Sequence, residues 1–528
     1  MTMFLSEQNF TRHTSPQDSC SSSSITLISP EVLLYIFLFN ITPDNRSKTS
    51  EWVDCGRTTR YTSQVCRDWR EIALTCPTLW RHAIDVSQNS TDWMKELLRR
   101  SQPLSIDICT YTRPFANSQC LNIALQHASR FRNVQVMVQY SFWDTLTSHL
   151  LQPTPHLETL HLEVAGESPN WTSPQLPTTL FSGDAPNLRR LDLARCTFNF
   201  VSPILHNLTE LKITTVFAHL VPTISKLLDI LSHTPLLERL DLFRIEGPPS
   251  NHEDDLFMDT RSPVELPRLK ILELSADMDD CANLLTNVII PSSCIFRMDC
   301  TAIQTGSALN KLISVIEQKL ASRNLADHPL ALSLDTTGIS IDSRDPEREL
   351  EPQATELTFF ILLSWREWGQ QEEGFETFFP LLLPIFEEVS FRITSLYLPM
   401  DDETEMDFLS RQILSSYIAI ERVEGINKCM PPEFFHAFQP KSFAGDSALL
   451  PSLRTIGFRN VDFKSRWGKE PCFFDQLLSF IRWRSHLGLP IEAVKLRYCR
   501  ITKEEVEQLK VWGVKVNWDG LNKMEDDQ

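Results

Sequence analysis

The chain has 528 residues, 42% of them hydrophobic, with 31 Phe and 12 Trp, and its formal net charge is −18. This composition is ample for a packed core, and the length suggests two to four domains, or a small module followed by a long repeat array. The acidic balance, with no block of Lys and Arg, argues against a nucleic-acid partner. The 13 cysteines include no Cys-x-x-Cys pair, which favours a reducing compartment over a disulfide framework or a zinc site.

The N-terminal residues 1–24 are polar, and no basic segment followed by an apolar one occurs among them. The sequence therefore predicts a disordered tail without a signal peptide. The longest apolar runs, at 357–365 and 378–386, are too short to cross a bilayer. We expect a soluble protein of the cytoplasm and/or nucleus, with no membrane partner.

The first predicted helix begins near Pro30 and is apolar around almost its whole circumference. Ser29 can cap this helix, and Pro30 occupies the first helical position, where its missing N–H costs nothing. The apolar positions are Val32, Leu33, Leu34, Ile36, Phe37, Leu38 and Phe39. A helix that is apolar all round must be buried on more than one side, so one side can face its own domain and the other a partner protein.

A second helix and a short third one follow. Val65, Trp69, Ile72 and Ala73 fall at i, i+4, i+7 and i+8, which is one stripe of a helix. Pro77 can begin the third helix, whose apolar anchors are Leu79 and Trp80. The pattern predicts three short helices around a tryptophan-rich core, and the polar stretch at about 42–59 is predicted to be an inserted loop.

Taken in order, these segments resemble an F-box of the fungal type over about residues 27–85. The resemblance is carried by Ile28, Pro30, Glu31, Leu33, Leu34, Ile36 and Phe37, then Val65-Cys66-Arg67-Asp68-Trp69-Arg70, Ile72-Ala73 and Pro77-Thr78-Leu79-Trp80. Ile28-Ser29-Pro30 replaces the usual Leu-Pro opening, and the inserted loop is longer than usual. An ordinary three-helix core without a partner is the alternative.

The resemblance implies that residues 25–86 dock on a Skp-family adaptor, and through it on a cullin. It also implies which residues line or support the adaptor-binding face. These are Pro30, Leu33, Ile36, Phe37, Val65, Cys66, Trp69 and Trp80.

Beyond this module, residues 87–150 alternate between predicted helices and strands, with helices at 91–100 and 121–130 and strands at 104–108 and 134–138. From about 151 to 520, a Leu-x-x-Leu-x-Leu spacing recurs. Its clearest copies begin at Leu157, Leu188, Leu208, Leu237 and Leu269, and weaker ones begin at Ile393, Leu453 and Ile491. This spacing is typical of the strand half of a leucine-rich repeat, in which the last two leucines point into the core.

We therefore expect an α/β fold, in which a three-helix F-box precedes an irregular leucine-rich-repeat-like solenoid of short parallel strands and helices. The stretch at about 335–354 is predicted to be an acidic loop, and residues 521–528 to be an acidic tail. An irregular α/β domain is the alternative to the solenoid.

The sequence contains no phosphate-binding glycine loop, no Gly-x-Ser-x-Gly elbow and no His-Glu-x-x-His, so we predict no catalytic, cofactor-binding or metal site. With the resemblance, this favours a non-enzymatic substrate-recognition subunit of an SCF-type ubiquitin ligase. Outward strand positions are the candidates for binding an unknown target protein: Glu163, Asp192, Asp241, Phe243, Glu273, Arg459, Lys495 and Arg497. A scaffolding protein without ubiquitin transfer, or an enzyme hidden within 275–392, are the alternatives.

Overall fold

The computed structural model describes part of the chain. The described residues are 28–41, 52–88, 90–110, 115–165, 174–196, 203–214, 224–245, 262–300, 307–321, 330–335, 338–342, 360–365, 393–398, 419–426, 430, 433–436, 438, 450–466 and 470–523. The predicted tail at 1–24 and most of the predicted acidic tail lie outside them. The described residues form a mixed α/β protein with two compact units, residues 1–124 and 125–528.

The first unit is mainly helical. Its helices are α1 (Pro30–Ile41), α2 (Trp52–Thr62), α3 (Arg67–Thr75), α4 (Pro77–Trp80), α5 (Thr91–Arg100) and α6 (Ser118–Leu125, which ends at the boundary). Two short strands, β1 (Ile84–Asp85) and β2 (Ile106–Cys109), pair in parallel. Local capping sets some of these bounds, since the Ser90 side chain accepts a hydrogen bond from the Trp93 N–H at the start of α5.

Helix α2 lies where the sequence analysis predicted an inserted loop, so that prediction was wrong for residues 52–59. Among the described side chains of the helix, a small residue and a polar one make close contacts. A Cβ on Gly56 would lie 3.4 Å from Ala83 Cα, and the buried Thr59 hydroxyl donates to the Leu79 carbonyl at 3.1 Å. Contacts of this kind add nothing to the hydrophobic periodicity of the sequence. The remainder of the predicted loop, 42–51, lies outside the described residues.

The compact unit also extends beyond residue 86, because α5 packs on the tryptophan of α4. The Trp80 and Trp93 rings stand edge to face, with centroids 6.2 Å apart. The Arg100 guanidinium lies over the Trp80 ring at 4.4 Å. Aromatic and cation–π contacts of this kind join α4 and α5.

The second unit contains helices and a long sheet. The helices are α7 (Trp143–His149), α8 (Ile224–Ser232), α9 (Met278–Thr286), α10 (Ser307–Ala321), α11 (Glu433–His436), α12 (Phe473–His486) and α13 (Lys503–Val511), with 3₁₀ helices at Ala128–Arg130, Tyr140–Phe142, Leu180–Gly183 and Pro203–Asn207. The strands are β3 (Phe131–Gln139), β4 (Thr159–Ala165), β5 (Arg190–Ala194), β6 (Glu210–Thr214), β7 (Arg239–Ile245), β8 (Val264–Glu265), β9 (Ile271–Ala276), β10 (Val288–Ile289), β11 (Ile295–Cys300), β12 (Leu330–Asp335), β13 (Gly338–Asp342), β14 (Phe360–Trp365), β15 (Ile393–Leu398), β16 (Arg422–Ile426), β17 (Thr455–Arg459), β18 (Ala493–Arg497) and β19 (Lys515–Trp518).

One sheet runs through this unit in the order β3–β4–β5–β6–β7–β9–β11–β14–β13–β12–β15–β16–β17–β18–β19. Every neighbouring pair is parallel except the two that involve β13, which runs antiparallel to β12 and β14. Strands β8 and β10 form a separate parallel pair.

The recurring leucine triplets account for the inner face of this sheet. In the five clear copies, the first leucine precedes its strand by two residues, and the other two lie on it. All three positions of each copy are buried: Leu157, Leu160, Leu162; Leu188, Leu191, Leu193; Leu208, Leu211, Ile213; Leu237, Leu240, Leu242; Leu269, Leu272, Leu274. The strands pair in register, so these side chains form continuous apolar rows across β4 to β9.

The triplets fade after β9, and strand order departs from chain order in the same region. The chain passes from β11 to β12, which lies three positions away in the sheet, and β13 and β14 then fill the gap back to β11. Strand β13 falls inside the predicted acidic loop, so the loop prediction was wrong for residues 338–342. Ile339 and Ile341 alternate with smaller residues there, which is a strand pattern.

Candidate functional site

Helix α1 has two apolar faces with different surroundings. Leu33, Phe37 and Ile41 are buried, and the Phe37 ring contacts the Trp69 ring of α3 with centroids 4.8 Å apart. A second stripe, which we call the α1 outer face, is exposed, and it consists of Val32, Tyr35, Ile36 and Phe39. Tyr35 is 72% exposed and Phe39 75%. Because i, i+3, i+4 and i+7 positions share one side of a helix, these four side chains form a continuous apolar stripe.

The eight residues predicted to line or support an adaptor-binding face divide between the surface and the core. Pro30, Ile36, Val65 and Cys66 are exposed, and Trp69 is half-buried. Leu33, Phe37 and Trp80 are buried and can only support such a face from below. The Trp80 indole N–H donates to the Ala73 carbonyl at 2.7 Å, which fixes α4 against α3.

Several exposed apolar side chains of this unit were not among the predicted residues. Val32, Tyr35 and Phe39 complete the α1 outer face, and their i, i+3, i+7 spacing was visible in the sequence. Tyr61 at the end of α2 and Leu74 on α3 are exposed as well. Neither could be assigned from sequence, because the orientation of each helix depends on its packing partners.

On the sheet of the second unit, the polar positions between the buried leucines form a charged row. In cross-strand register from β4 to β11, it consists of His161, Asp192, Lys212, Asp241, Glu273 and Arg297. Asp192 Oδ2 lies 2.8 Å from His161 Nδ1 and 3.5 Å from Lys212 Nζ. Glu273 accepts from Arg297 Nη1 at 2.9 Å. Pairing of opposite charges across strands stabilises the sheet.

Asp241 departs from the prediction that it is an outward, accessible position, because it is buried. Its Oδ2 accepts from Arg239 Nε at 2.8 Å, and Arg239 also bonds Glu273 at 3.1 Å. Burial raises the pKa of the Asp241 carboxyl above its ordinary value, although the Arg239 hydrogen bond acts in the opposite direction. The three predicted acidic candidates of the charged row therefore already have basic partners within the sheet.

The other target-binding candidates lie on neighbouring rows or on distant strands. Glu163 and Phe243 are half-buried, and each lies two residues further along its strand than the residue of the charged row on that strand. Lys212 Nζ lies 5.8 Å from the centre of the Phe243 ring. Arg459 and Arg497 are directly opposite each other on β17 and β18, with Lys495 nearby on β18. Strands β11 to β16 separate these basic positions from the acidic ones, so the eight candidates do not form one cluster.

Among the described residues, no group of three or more His, Cys, Asp or Glu side chains could hold a metal ion. Within that same part of the chain, no helix is both long and apolar enough to cross a membrane. What the two units offer chemically is an apolar stripe on one and a polar, ion-paired sheet face on the other. No family model matches the sequence, and no curated protein matches it either.

Proposed function

We propose that this chain is the substrate-recognition subunit of an SCF-type cullin-RING ubiquitin ligase. Its helical unit, with an F-box at about residues 25–86, would dock on a Skp-family adaptor. Its parallel-sheet unit, a leucine-rich-repeat-like solenoid, would hold a target protein. The observation that carries the proposal is the α1 outer face, together with the F-box-like residues around it.

An exposed stripe of four large apolar side chains on one 12-residue helix is unfavourable in water unless a partner covers it. Helix faces of this kind are used in protein association, where i, i+3, i+4 and i+7 positions anchor in an apolar groove. The buried stripe of the same helix holds it rigidly against α3, so the outer face is presented without a large ordering cost.

The role of the second unit rests on the buried leucine triplets and the parallel strands that carry them. Stacked strand-and-helix repeats leave a long polar face available for a protein ligand. In this proposal the chain makes and breaks no bond itself. It holds the target close to a ligase that other subunits provide, and it acts in the cytoplasm and/or nucleus.

The test is co-purification of the full chain with a Skp-family adaptor, using variants that change only the surface. Tyr35→Asp combined with Phe39→Asp places two carboxylates on the α1 outer face, and we expect adaptor binding at least about 100-fold weaker, as when two interface anchors are lost. Leu33→Asp would be a poor test, because Leu33 is buried and the change would unfold the unit.

Val511→Asp is the matched control, because Val511 is also a highly exposed apolar residue on a helix. The control should bind the adaptor normally. If the unmodified chain does not bind the adaptor, or if the outer-face variant binds as well as the control, the proposal fails. If the adaptor binds but no cullin is recruited, the chain is a scaffolding protein without ubiquitin transfer.

A further inference from the structure

The helical unit carries a second surface feature, a set of exposed arginines on α2 and α3. They are Arg57, Arg60, Arg67 and Arg70, which we call the arginine rim. Within the described part of the chain, no ion pair joins any of these four guanidinium groups to a carboxylate. Four unpaired cations within a short segment are notable in a chain whose formal net charge is −18.

The arginines share their helix faces with exposed apolar side chains. On α3, Arg67, Arg70 and Leu74 lie at i, i+3 and i+7, and all three are exposed. On α2, Arg57 and Arg60 are followed by the exposed Tyr61 at i+4 from Arg57. Residues at these spacings neighbour one another on a helix surface. The exposed face of each helix therefore carries arginine side chains next to an exposed apolar side chain.

Asp68 and Glu71 of α3 are exposed as well. Arg67 and Glu71 are at i, i+4, a spacing at which opposite charges on a helix can pair. Among the described residues no ion pair joins them, so the Arg67 guanidinium stays exposed on the helix surface. It is therefore accessible to a carboxylate of a partner protein.

We propose that the arginine rim is the electrostatic part of the docking surface, and that it selects a partner protein whose contact surface combines apolar side chains with carboxylates. This inference rests on the proposed function, since it takes the adaptor as that partner. The α1 outer face would set how long the complex lasts, and the arginine rim would set how fast and how selectively it forms. Complementary charge at the edge of an interface acts mainly on the association rate, and salt screens it.

The experiment measures association and dissociation rates of the full chain with a purified Skp-family adaptor at several salt concentrations. The variant combines Arg57→Glu, Arg60→Glu, Arg67→Glu and Arg70→Glu. We expect its association rate at low salt to fall by roughly tenfold or more and its salt dependence to reverse or vanish. Its dissociation rate should change much less than that of the Tyr35→Asp, Phe39→Asp variant.

Two controls separate this effect from a general change in charge. Arg268→Glu reverses an exposed arginine of the second unit and should leave the association rate unchanged. Asp68→Lys with Glu71→Lys adds positive charge beside the rim and should raise the association rate at low salt. Circular dichroism of each variant checks that the helices remain folded.

The outcomes distinguish this inference from the proposed function. If the unmodified chain binds the adaptor but the rim variant associates at the same rate and with the same salt dependence, the inference is wrong and the proposed function stands. If the unmodified chain does not bind the adaptor at any salt concentration, both are wrong. If the rim variant abolishes self-association of the chain instead, the surface binds a second copy, and the inference is likewise overturned.

Discussion

Phe37 and Phe39 provide a matched pair of substitutions, because they are the same residue type two positions apart on one helix. Phe37 is 3% exposed and packs on Trp69, whereas Phe39 is 75% exposed. Removing a buried phenylalanine ring costs about 3–5 kcal/mol, because the apolar contacts are lost and a cavity remains. Removing an exposed one changes stability by less than about 0.5 kcal/mol.

Hydrogen exchange followed by mass spectrometry measures this difference locally, within the peptides that cover α1 and α3. At 1.4 kcal/mol for each tenfold change, Phe37→Ala should speed exchange by roughly 100- to 4000-fold where opening of the helical unit controls it. Phe39→Ala should change exchange by less than about threefold. Adaptor binding should nevertheless be weakened by Phe39→Ala.

A similar loss of protection in the two variants would refute this reasoning. It would mean that Phe39 packs within the chain as tightly as Phe37 does, and that the α1 outer face is not available to a partner. Phe39→Leu is the control, since it keeps an apolar side chain at the same exposed position.

Three further predictions concern the second unit and the cysteines. Arg484 is fully buried and donates to three backbone carbonyls. Arg484→Met should therefore lower the free energy of unfolding by about 3 kcal/mol in urea titrations. An unchanged urea midpoint would show that these hydrogen bonds do not stabilise the fold. A Cβ on Gly457 would lie 3.1 Å from Glu424 Oε2, so Gly457→Val should lower the free energy of unfolding by about 1–3 kcal/mol. Adding Glu424→Ala to this variant should recover part of the lost stability, because the crowding carboxylate is removed. Burial raises the pKa of the Cys196 thiol to about 12, so only about one Cys196 thiol in 10,000 is ionised at pH 8. Iodoacetamide should therefore label the exposed Cys66 long before the buried Cys196. Equal labelling of the two cysteines in peptide mass spectrometry would contradict the described burial.

Much of the local structure could be predicted because the patterns that specify it are themselves local. Helix α5 has the bounds 91–100 that its apolar stripe and flanking residues predict. The five clear leucine triplets mark the strands β4, β5, β6, β7 and β9, because the inward positions of a strand repeat every second residue. Strand β16 was missed, since Glu424 and Gly425 interrupt its apolar pattern. A Cβ at Gly425 would lie 2.8 Å from Met430 Cε, so a larger residue there would require the Met430 side chain to shift.

The candidate site was only partly predictable, since it depends on contacts between distant segments. The sequence indicated that α1 is apolar on more than one side, and this is what the structure shows. Spacing alone does not reveal which stripe packs inward, because both consist of large apolar residues at helical intervals. The position of the Trp69 ring decides this, and it places Phe37 inside and leaves Phe39 exposed.

The burial of Asp241 was unpredictable for a related reason. Its position on β7 indicates an outward side chain, and it does lie on the polar face of the sheet. The contacts of Asp241 with its two basic neighbours, however, depend on strand register and side-chain direction. Arg239 is on the same strand, and Lys212 is directly opposite on β6. The sequence pattern thus predicts an exposed carboxylate at Asp241, whereas in the fold this carboxylate is buried and ion-paired.

Adaptor docking is tested most directly by the affinity of the purified 528-residue chain for a purified Skp-family adaptor, measured by isothermal titration calorimetry. We expect a 1:1 complex with a dissociation constant of about 1 µM or tighter. Tyr35→Asp combined with Phe39→Asp should abolish the binding heat while the circular dichroism spectrum is retained. An unmodified chain that gives no binding heat, or an outer-face variant that binds with unchanged affinity, would contradict this docking.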